Sequence, residues 1–466
     1  MTPIIDLPEK TKKILIYIIA MAMLMEMMDA SVLNTSLPQM ANSLHVGVIQ
    51  LKIVLTIYFL SLGIFIPVSG WAADCFGEKK TMLFALFLFI ASSVACGLSM
   101  NLVTLVIFRL LQGIGGAFLM PVGRHILTRV FTGTSRFKAI ANVNIIALAA
   151  LSLGPVIGGT LTSYANWRWI FFINIPFGLS GAYLLYRYLP VLREPSRRAF
   201  DFLGFAYIAI FLGTLLFFLD ILIDRHIAVY IKIMLLTISI SSLIAYLKHT
   251  KHHIAPLIST YLFRQPKFRS ATIGSFLSRL TLSTTPFLVP LLLQAGYHYN
   301  AFESGLLSMP VVFGTLLGMF IMPALLKIYA KKKLLIINTL LLGVIFCSYF
   351  FQTIHLSLVT LVFQQCLMGF FSALQMPLMN VDVYDQLDER HMSEGITINS
   401  GIIQISGSFG IALAALCMVM VMGKNDLQHR VPLIAFQVVF LVQSIYLFIA
   451  IYFFAFKAKK TLTIPA

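Results

Sequence analysis

The sequence predicts an all-α integral membrane protein of fourteen transmembrane helices with both termini in the cytoplasm. Three observations carry this. Of the 466 residues, 59% are apolar and only 11% charged, whereas a soluble globular chain takes about 25% charged residues. The apolar residues gather in runs of roughly 20, the length at which a helix crosses a bilayer with its backbone groups satisfied internally. The basic residues, 34 Lys+Arg against 17 Asp+Glu, are concentrated in alternate links between those runs. Disorder is excluded because disordered chains are poor in apolar residues. Three soluble domains, which the length would suggest at about 150 residues each, are excluded by the shortage of charge.

The spans follow in order. Residues 14–33 come after the Lys10, Lys12 and Lys13 cluster; 49–72 end before Asp74; 81–100 begin after Lys79 and Lys80; 102–123 end before Arg124. Residues 139–163 start after Arg136 and Lys138, and 169–189 lie between Arg168 and Arg193. Residues 201–223 follow Arg197 and Arg198, and 228–247 end before Lys248. A second series occupies 268–294, 304–327, 334–352 (after Lys331, Lys332 and Lys333), 356–379, 395–422 and 431–456. An even number of spans puts both termini on one side, and 26 of the 34 basic residues fall on that side. Positive charge marks the cytoplasmic face, where it meets anionic lipid. The net charge of +17 is therefore an orientation signal, and nucleic acid is not a partner.

Several chemistries lack their residues. Ala20, Met21 and Ala22 have the form of a signal-peptide cleavage site, but the apolar run before them, Ile14 to Ile19, is short and the helix continues past it. Cys75, Cys96, Cys347, Cys366 and Cys417 stand singly, with no CxxC and no metal-ligand spacing, and read as packing thiols. No GxxxxGK[ST] loop is present to hold a nucleotide phosphate. No metal, cofactor or enzyme activity is expected.

An internal repeat organises the chain. Shifted by 256, residues 106–121 overlie 362–377 with six of sixteen identical: Val106, Leu111, Gly113, Ala117, Met120 and Pro121 recur as Val362, Leu367, Gly369, Ala373, Met376 and Pro377. The Lys79–Lys80 cluster likewise corresponds to Lys331–Lys333. The expected division is a six-helix bundle over 1–190, two inserted helices with linkers over 191–267, and a second six-helix bundle over 268–466. Substrate sites in such repeat folds lie near mid-membrane between the halves.

Five stretches then carry a family resemblance: Asp29 to Pro38 with Asn34 and Leu37; Gly70, Asp74, Gly77, Lys79 and Lys80 between spans two and three; Arg109, Gln112, Gly113, Gly115, Gly116 and Ala117 in span four; Gly154, Pro155, Gly158 and Gly159 in span five; and Trp167, Arg168, Trp169, Asn174, Pro176 and Gly178 beyond it. With these the chain resembles the major facilitator superfamily, specifically its fourteen-helix drug:proton antiporter branch. The similarity in topology covers the whole chain, while the sharp motifs end near residue 178. The resemblance implies export of small molecules against inward proton flow, a gate at Gly70, Asp74, Gly77, Lys79 and Lys80, and an antiporter motif at Gly154, Pro155, Gly158 and Gly159. It also leaves room for a periplasmic adaptor protein.

The residues have a physical reading beside this. Ionisable groups inside spans are costly and commonly functional. Glu26 and Asp29, three apart, share a helix face about 4.5 Å apart along the axis, so a shared proton near neutral pH is one reading. The other has Asp29 hydrated at the outer mouth of helix one and Glu26 alone facing a cavity. Arg109, permanently charged, either exchanges between a carboxylate and substrate or clamps helix-one carbonyls. Its repeat mate, Gln365, is neutral. Arg279 is open to substrate contact, charge balance or lipid snorkelling. Gly154 to Gly159 serve either a mechanical break or tight packing. Asn34, Gln112, Asn144, Gln365, Gln375, Asn399 and Gln404 are the polar candidates for a central cavity. The basic link after span four (Arg124, Arg129, Arg136, Lys138) and the acidic one after span twelve (Asp382, Asp385, Asp388, Glu389, Glu394) face each other if the halves meet there, and cross-half ion pairs would then hold an outward-open state. The functional expectation is a monomeric, proton-driven exporter of small amphipathic organic molecules in the bacterial inner membrane. Proton symport and a non-transporting membrane sensor are the competing readings.

Overall fold

Long helices follow one another with short breaks in the computed structural model, which describes residues 8–131, 133–190, 200–222, 227–253, 261–352, 357–387, 392–422 and 431–455. The first series is α1 (Glu9–Leu44), α2 (Lys52–Phe76), α3 (Glu78–Gly97), α4 (Leu102–Val130), α5 (Gly133–Tyr164), the short α6 (Trp169–Phe172) and α7 (Asn174–Tyr188). Two further helices are α8 (Phe202–Ile221) and α9 (Val229–His252). The second series is α10 (Pro266–Leu291), the short α11 (Ala301–Leu307), α12 (Met309–Ile328), α13 (Lys331–Ser348), α14 (Leu358–Tyr384), α15 (Met392–Met422) and α16 (Leu433–Ala455). With α6–α7 and α11–α12 each crossing as one span, fourteen transmembrane helices result. Thirteen described helices are long and apolar enough to cross a membrane. The remaining one is α5, of 32 residues.

Local chemistry sets the breaks. Gly77 adopts φ 81°, a conformation open to a residue without Cβ, and separates α2 from α3. Asn101 caps α4 by accepting from Thr104 N at 2.9 Å, and Asp201 caps α8 through Gly204 N at 2.8 Å. Asn300 and Glu303 form a reciprocal capping box at α11. Pro310 lies in the first turn of α12, where its missing N–H costs nothing.

The first span is longer than the apolar run alone suggested. Polar residues at its far end, Asn34 to Ser36, are buried and continue the helix to Leu44. Asp29 therefore sits deep within α1, not at the outer mouth.

Packing repeats between the two series. In each, one helix is threaded by glycine: a Cβ on Gly113 of α4 would collide with Ser61 and lie 2.7 Å from the Tyr58 carbonyl of α2. Its repeat mate, Gly369 of α14, meets the Val311 carbonyl of α12 in the same way. Such close approach maximises dispersion where lipid offers no hydrophobic drive. Large side chains such as Phe320, Val359 and Tyr452 point outward instead.

The α8–α9 pair packs on the seam between α2 and α15. Leu60 and Ile64 meet Ile208, Leu212 and Leu216, with Phe409 and Ala412 on the other side. Lys52 of α2 ties to Asp220 of α8 at 2.9 Å.

At the end of the bundle away from the chain termini, the two series are sewn together. Gln294 Nε2 donates to the Thr35 carbonyl at 2.9 Å, and Phe302 N donates to Ser163 Oγ at 3.1 Å. Gly305 approaches the Pro155 carbonyl so closely that a Cβ would stand 2.6 Å from it. Nearer the middle, Ser408 Oγ of α15 donates to the Thr56 carbonyl of α2 at 2.9 Å.

Candidate functional site

The site begins with Arg109. The glycines of α4 press that helix against its neighbours: a Cβ on Gly115 would lie 2.8 Å from Phe89 N of α3. This draws the Arg109 side chain wholly into the interior, at 0% exposure. Its Nη1 donates to Asp29 Oδ2 at 2.6 Å, its Nε to the Val54 carbonyl at 3.3 Å, and Nη1 also to Gln112 Oε1 at 2.8 Å. The guanidinium lies 4.3 Å from the Tyr58 ring centroid, where the face of the aromatic attracts a cation.

Asp29, 4% exposed, gathers donors on its other oxygen. Gln112 Nε2 donates to Oδ1 at 2.9 Å, and Asn174 Nδ2 does so at 3.1 Å. Ser93 Oγ closes the ring, accepting from Gln112 at 3.3 Å and Asn174 at 3.1 Å while donating to the Phe171 carbonyl at 2.9 Å. A charge pair this dry is tolerable only when the remaining lone pairs and protons are met. Here Val54, Gln112 and Asn174 meet most of them, while Arg109 Nη2 has no hydrogen-bond partner among the described residues.

Glu26 does not share in this. It is 3% exposed, its Oε2 has no hydrogen-bond partner, and it makes no hydrogen bond to Asp29. The two carboxyls share no hydrogen bond in this structure, where Asp29 is paired with Arg109. Hydration of Asp29 at the mouth is corrected by the same burial. Clamping of Arg109 on helix-one carbonyls gives way to a carboxylate partner on α1 and a carbonyl partner, Val54, on α2.

The polar candidates separate. Gln112 belongs to the charged network, not to an open cavity. Asn34 turns back on its own helix, donating to the Ala30 carbonyl at 3.0 Å. Gln375 is held between α13 and α14, accepting from Asn338 at 2.7 Å and donating to Thr339 Oγ1 at 2.8 Å. Gln365 is 1% exposed and neither amide atom finds a partner. Gln404 lies at the α2–α15 contact beside Gly63. The Asn144 side chain lies outside the described residues. Arg279 and Asn399 come together: Arg279 Nη2 and Asn399 Nδ2 both donate to Asn380 Oδ1, at 2.7 and 2.8 Å.

Ser93 and Asn174 were not among the candidate site residues. Asn174 stood in a family motif without a role, and Ser93 had no signal beyond being polar in an apolar run.

The loop motif between α2 and α3 also resolves. Glu78, buried, pairs with Arg129 of α4 at 2.9 Å. Lys79 Nζ donates to the Tyr186 carbonyl of α7 at 2.8 Å, Gly77 makes the turn, and Gly70 and Lys80 stay exposed. Asp74 is partly buried. Among the described residues no cross-half ion pair is made: Arg129 turns to Glu78, and Asp385 pairs with Lys331 of its own series at 3.2 Å. Arg136, Lys138, Asp388, Glu389 and Glu394 lie outside the described side chains. Gly154 and Gly158 press against Ser31 and Val32 of α1, and Gly159 against the Ala301 carbonyl of α11. The motif is thus the point where α5 touches both series.

A family model described as the Major Facilitator Superfamily matches residues 19–266 and 271–464. The chain belongs to the major facilitator superfamily. It is 32% identical over 428 residues to a Salmonella dublin protein named as a candidate multidrug resistance protein, MdtD, with 91% of this chain and 89% of that one aligned. A protein of the same name from Enterobacter is 32% identical over 427 residues, with the same coverage. Among solved structures, the nucleoside transporter NupG superposes with a TM-score of 0.67 at 12% identity, covering 95% of this chain and 98% of that one. A POT family peptide transporter gives 0.66 at 14% identity, covering 97% and 99%. These likenesses show the fold. This superfamily member is a transporter of small molecules, not an enzyme, and a multi-pass protein of the bacterial inner membrane.

Proposed function

We propose that the chain is a proton-coupled antiporter that exports small amphipathic organic molecules by alternating access. The observation that carries this is the buried Asp29–Arg109 pair, 2.6 Å apart in the interior of the first series. Export is favoured by the multidrug resistance names of the relatives.

The mechanism follows from what a proton does at Asp29. Protonation removes the charge that holds Arg109 and makes one carboxyl oxygen a donor. The bonds from Arg109, Gln112 and Asn174 then weaken together, loosening α1 from α3, α4 and α7. Thr35 and Ser36 lie six and seven residues further along α1, about 10 Å at 1.5 Å per residue. Ser36 meets Thr162 of α5 at 2.5 Å, and the Thr35 carbonyl accepts from Gln294, three residues past the end of α10. A rigid helix carries displacement from the titrating carboxyl to the seam between the series.

The positive-inside rule places the terminal end in the cytoplasm, so the sewn end is periplasmic and this state faces inward. In the outward-facing state, residues 1–190 and 268–466 have rocked as two bodies, with 191–267 riding at the α2–α15 edge. The α4 and α14 ends then approach, and the basic and acidic links pair across the entrance. Glu26, buried with no ion pair within 4.0 Å among the described residues, is the second carboxyl available to protons along this path.

Everted membrane vesicles test the reading. A pH gradient, acid inside, should drive accumulation of amphipathic dyes, and both a protonophore and Asp29→Asn should abolish it. Accumulation that survives either treatment sinks the coupling assignment, and dye movement out of the everted vesicles reverses the direction.

A further inference from the structure

Arg279 stands in contrast to Arg109. Both are buried mid-helix cations, at 1% and 0% exposure, but Arg109 has Asp29 whereas Arg279 has no carboxylate within 4.0 Å among the described residues. Its partners are neutral: Nε donates to Ser275 Oγ at 2.9 Å, Nη2 to Asn380 Oδ1 at 2.7 Å, and Nη1 to the Met376 sulfur at 3.3 Å. A buried guanidinium without an anion is expensive, and a thioether is a weak acceptor. One arm of the fork is thus poorly served.

The surroundings are rich in donors. Asn399 Nδ2 points at the same Asn380 oxygen and also lies 2.9 Å from the Tyr384 hydroxyl. Two donors from different helices, α10 and α15, converge on a single amide oxygen of α14, which occupies a place suited to a carboxylate oxygen. Met376 and Asn380 are only half-buried, and methionine yields its position readily. The fork of a guanidinium matches a carboxylate in two parallel bonds.

We propose that Arg279, with Asn380, Asn399 and Tyr384, binds the carboxylate of the transported molecule, so that the substrates include amphipathic organic acids. This rests on the transport reading above for its purpose, though not for its chemistry. The carboxylate displaces the Met376 sulfur from Nη1 and supplies the missing negative charge. Arg279 is therefore the counterpart of the Asp29–Arg109 pair: one series holds its own anion, the other awaits it.

The test is equilibrium binding to the full chain in lipid nanodiscs, with no gradient. The probes are 1-naphthoate, indole-3-acetate and octanoate, beside 1-naphthamide and 1-naphthylmethylammonium. 1-Naphthoate should bind at least tenfold tighter than its amide and its ammonium analogue. Arg279→Met should erase that preference while keeping or raising thermal stability, since it removes an uncompensated charge. Arg279→Lys should retain part of the preference. Equal binding of acid, amide and ammonium overturns the proposal, as does absence of saturable binding by all three acids. An Arg279→Met variant that binds the acids within twofold of the parent, whatever its stability, overturns it too. Acid-selective binding without proton-driven export would sink the export reading and leave this one standing. Export of dyes with no acid selectivity would do the reverse.

Discussion

Removing the charge of Asp29 should unbalance the interior in a measurable way. Asparagine has the same shape but only one acceptor oxygen. If that oxygen faces Gln112 and Asn174, its amino group confronts Arg109 Nη1 across the 2.6 Å now spanned by the ion pair. If it faces Arg109, the amino group confronts the two amide donors, which stand at 2.9 and 3.1 Å from the present carboxylate. Either way Arg109 keeps its charge at 0% exposure and loses its counterion, a change that costs about 3–5 kcal/mol. Arg109→Gln strands Asp29 less severely, because Gln112 and Asn174 still donate to it. The double variant buries no charge and should be less harmed than the sum of the two, recovering at least about 2 kcal/mol, within the range of coupled neighbours. Unfolding the four proteins by SDS titration in mixed micelles gives the cycle, and everted vesicles give their proton-driven export. Additivity within about 0.5 kcal/mol would refute the pair as an energetic unit. Export restored in the double variant would refute Asp29 as the titrating group, however large the coupling.

Further expectations follow from other contacts. Gly159→Val should open the periplasmic seam, because even a Cβ collides with the Ala301 carbonyl; maleimide labelling of a cysteine at Gln294 should accelerate, and unchanged labelling would count against the seam. Gln365→Leu should raise stability by about 1–3 kcal/mol, the cost of burying an unsatisfied amide, in thermal unfolding. A loss of export without that gain would mark Gln365 as a substrate contact. Glu78→Gln should cost about 3 kcal/mol by stranding the buried Arg129, read in the same unfolding assay, whereas Asp220→Asn, whose side chain is 30% exposed, should cost no more than about 1 kcal/mol.

What sequence alone made legible divides along a physical line. An ionisable residue in an apolar run advertises itself, because lipid exacts a cost that has to be met somewhere. Glu26, Asp29, Arg109 and Arg279 could all be singled out for this reason. Their partners could not. Ser93 and Asn174 are small polar residues whose own helical carbonyls offer a local bond, as Ser92 illustrates by turning to the Leu88 carbonyl at 2.5 Å. Only the crossing of α3 and α7 beside α1 brings Asn174 to Asp29 and sets Ser93 to accept from Asn174 and Gln112. The same limit explains Gln112 and Gln375: both were read as cavity polar groups, and both are consumed by neighbouring helices. The spans were legible to within a turn or two except in α1, where a buried polar tip at Asn34 to Ser36 lowered the hydropathy without ending the helix.

The division of charge between the two series has a consequence for the proposed cycle. A buried salt bridge formed within one series is closed when empty, so its opening has to be driven from outside, by a proton. A lone buried cation in the other series is under-compensated when empty, so its filling is favourable and needs an anion. If Arg109 and Arg279 both had resident carboxylates, substrate would have to displace a counter-charge at each; if neither did, nothing would link proton arrival to movement of α1. The arrangement of one arginine with a resident carboxylate and one without allows the proton and the substrate to act on different helices, α1 and α10, joined at the periplasmic seam by Thr35 and by Gln294 just past the end of α10. Exchange then requires no contact between proton and substrate. Each biases the same seam, and an affinity difference of about tenfold between inward- and outward-facing states at either site corresponds to about 1.4 kcal/mol of that bias.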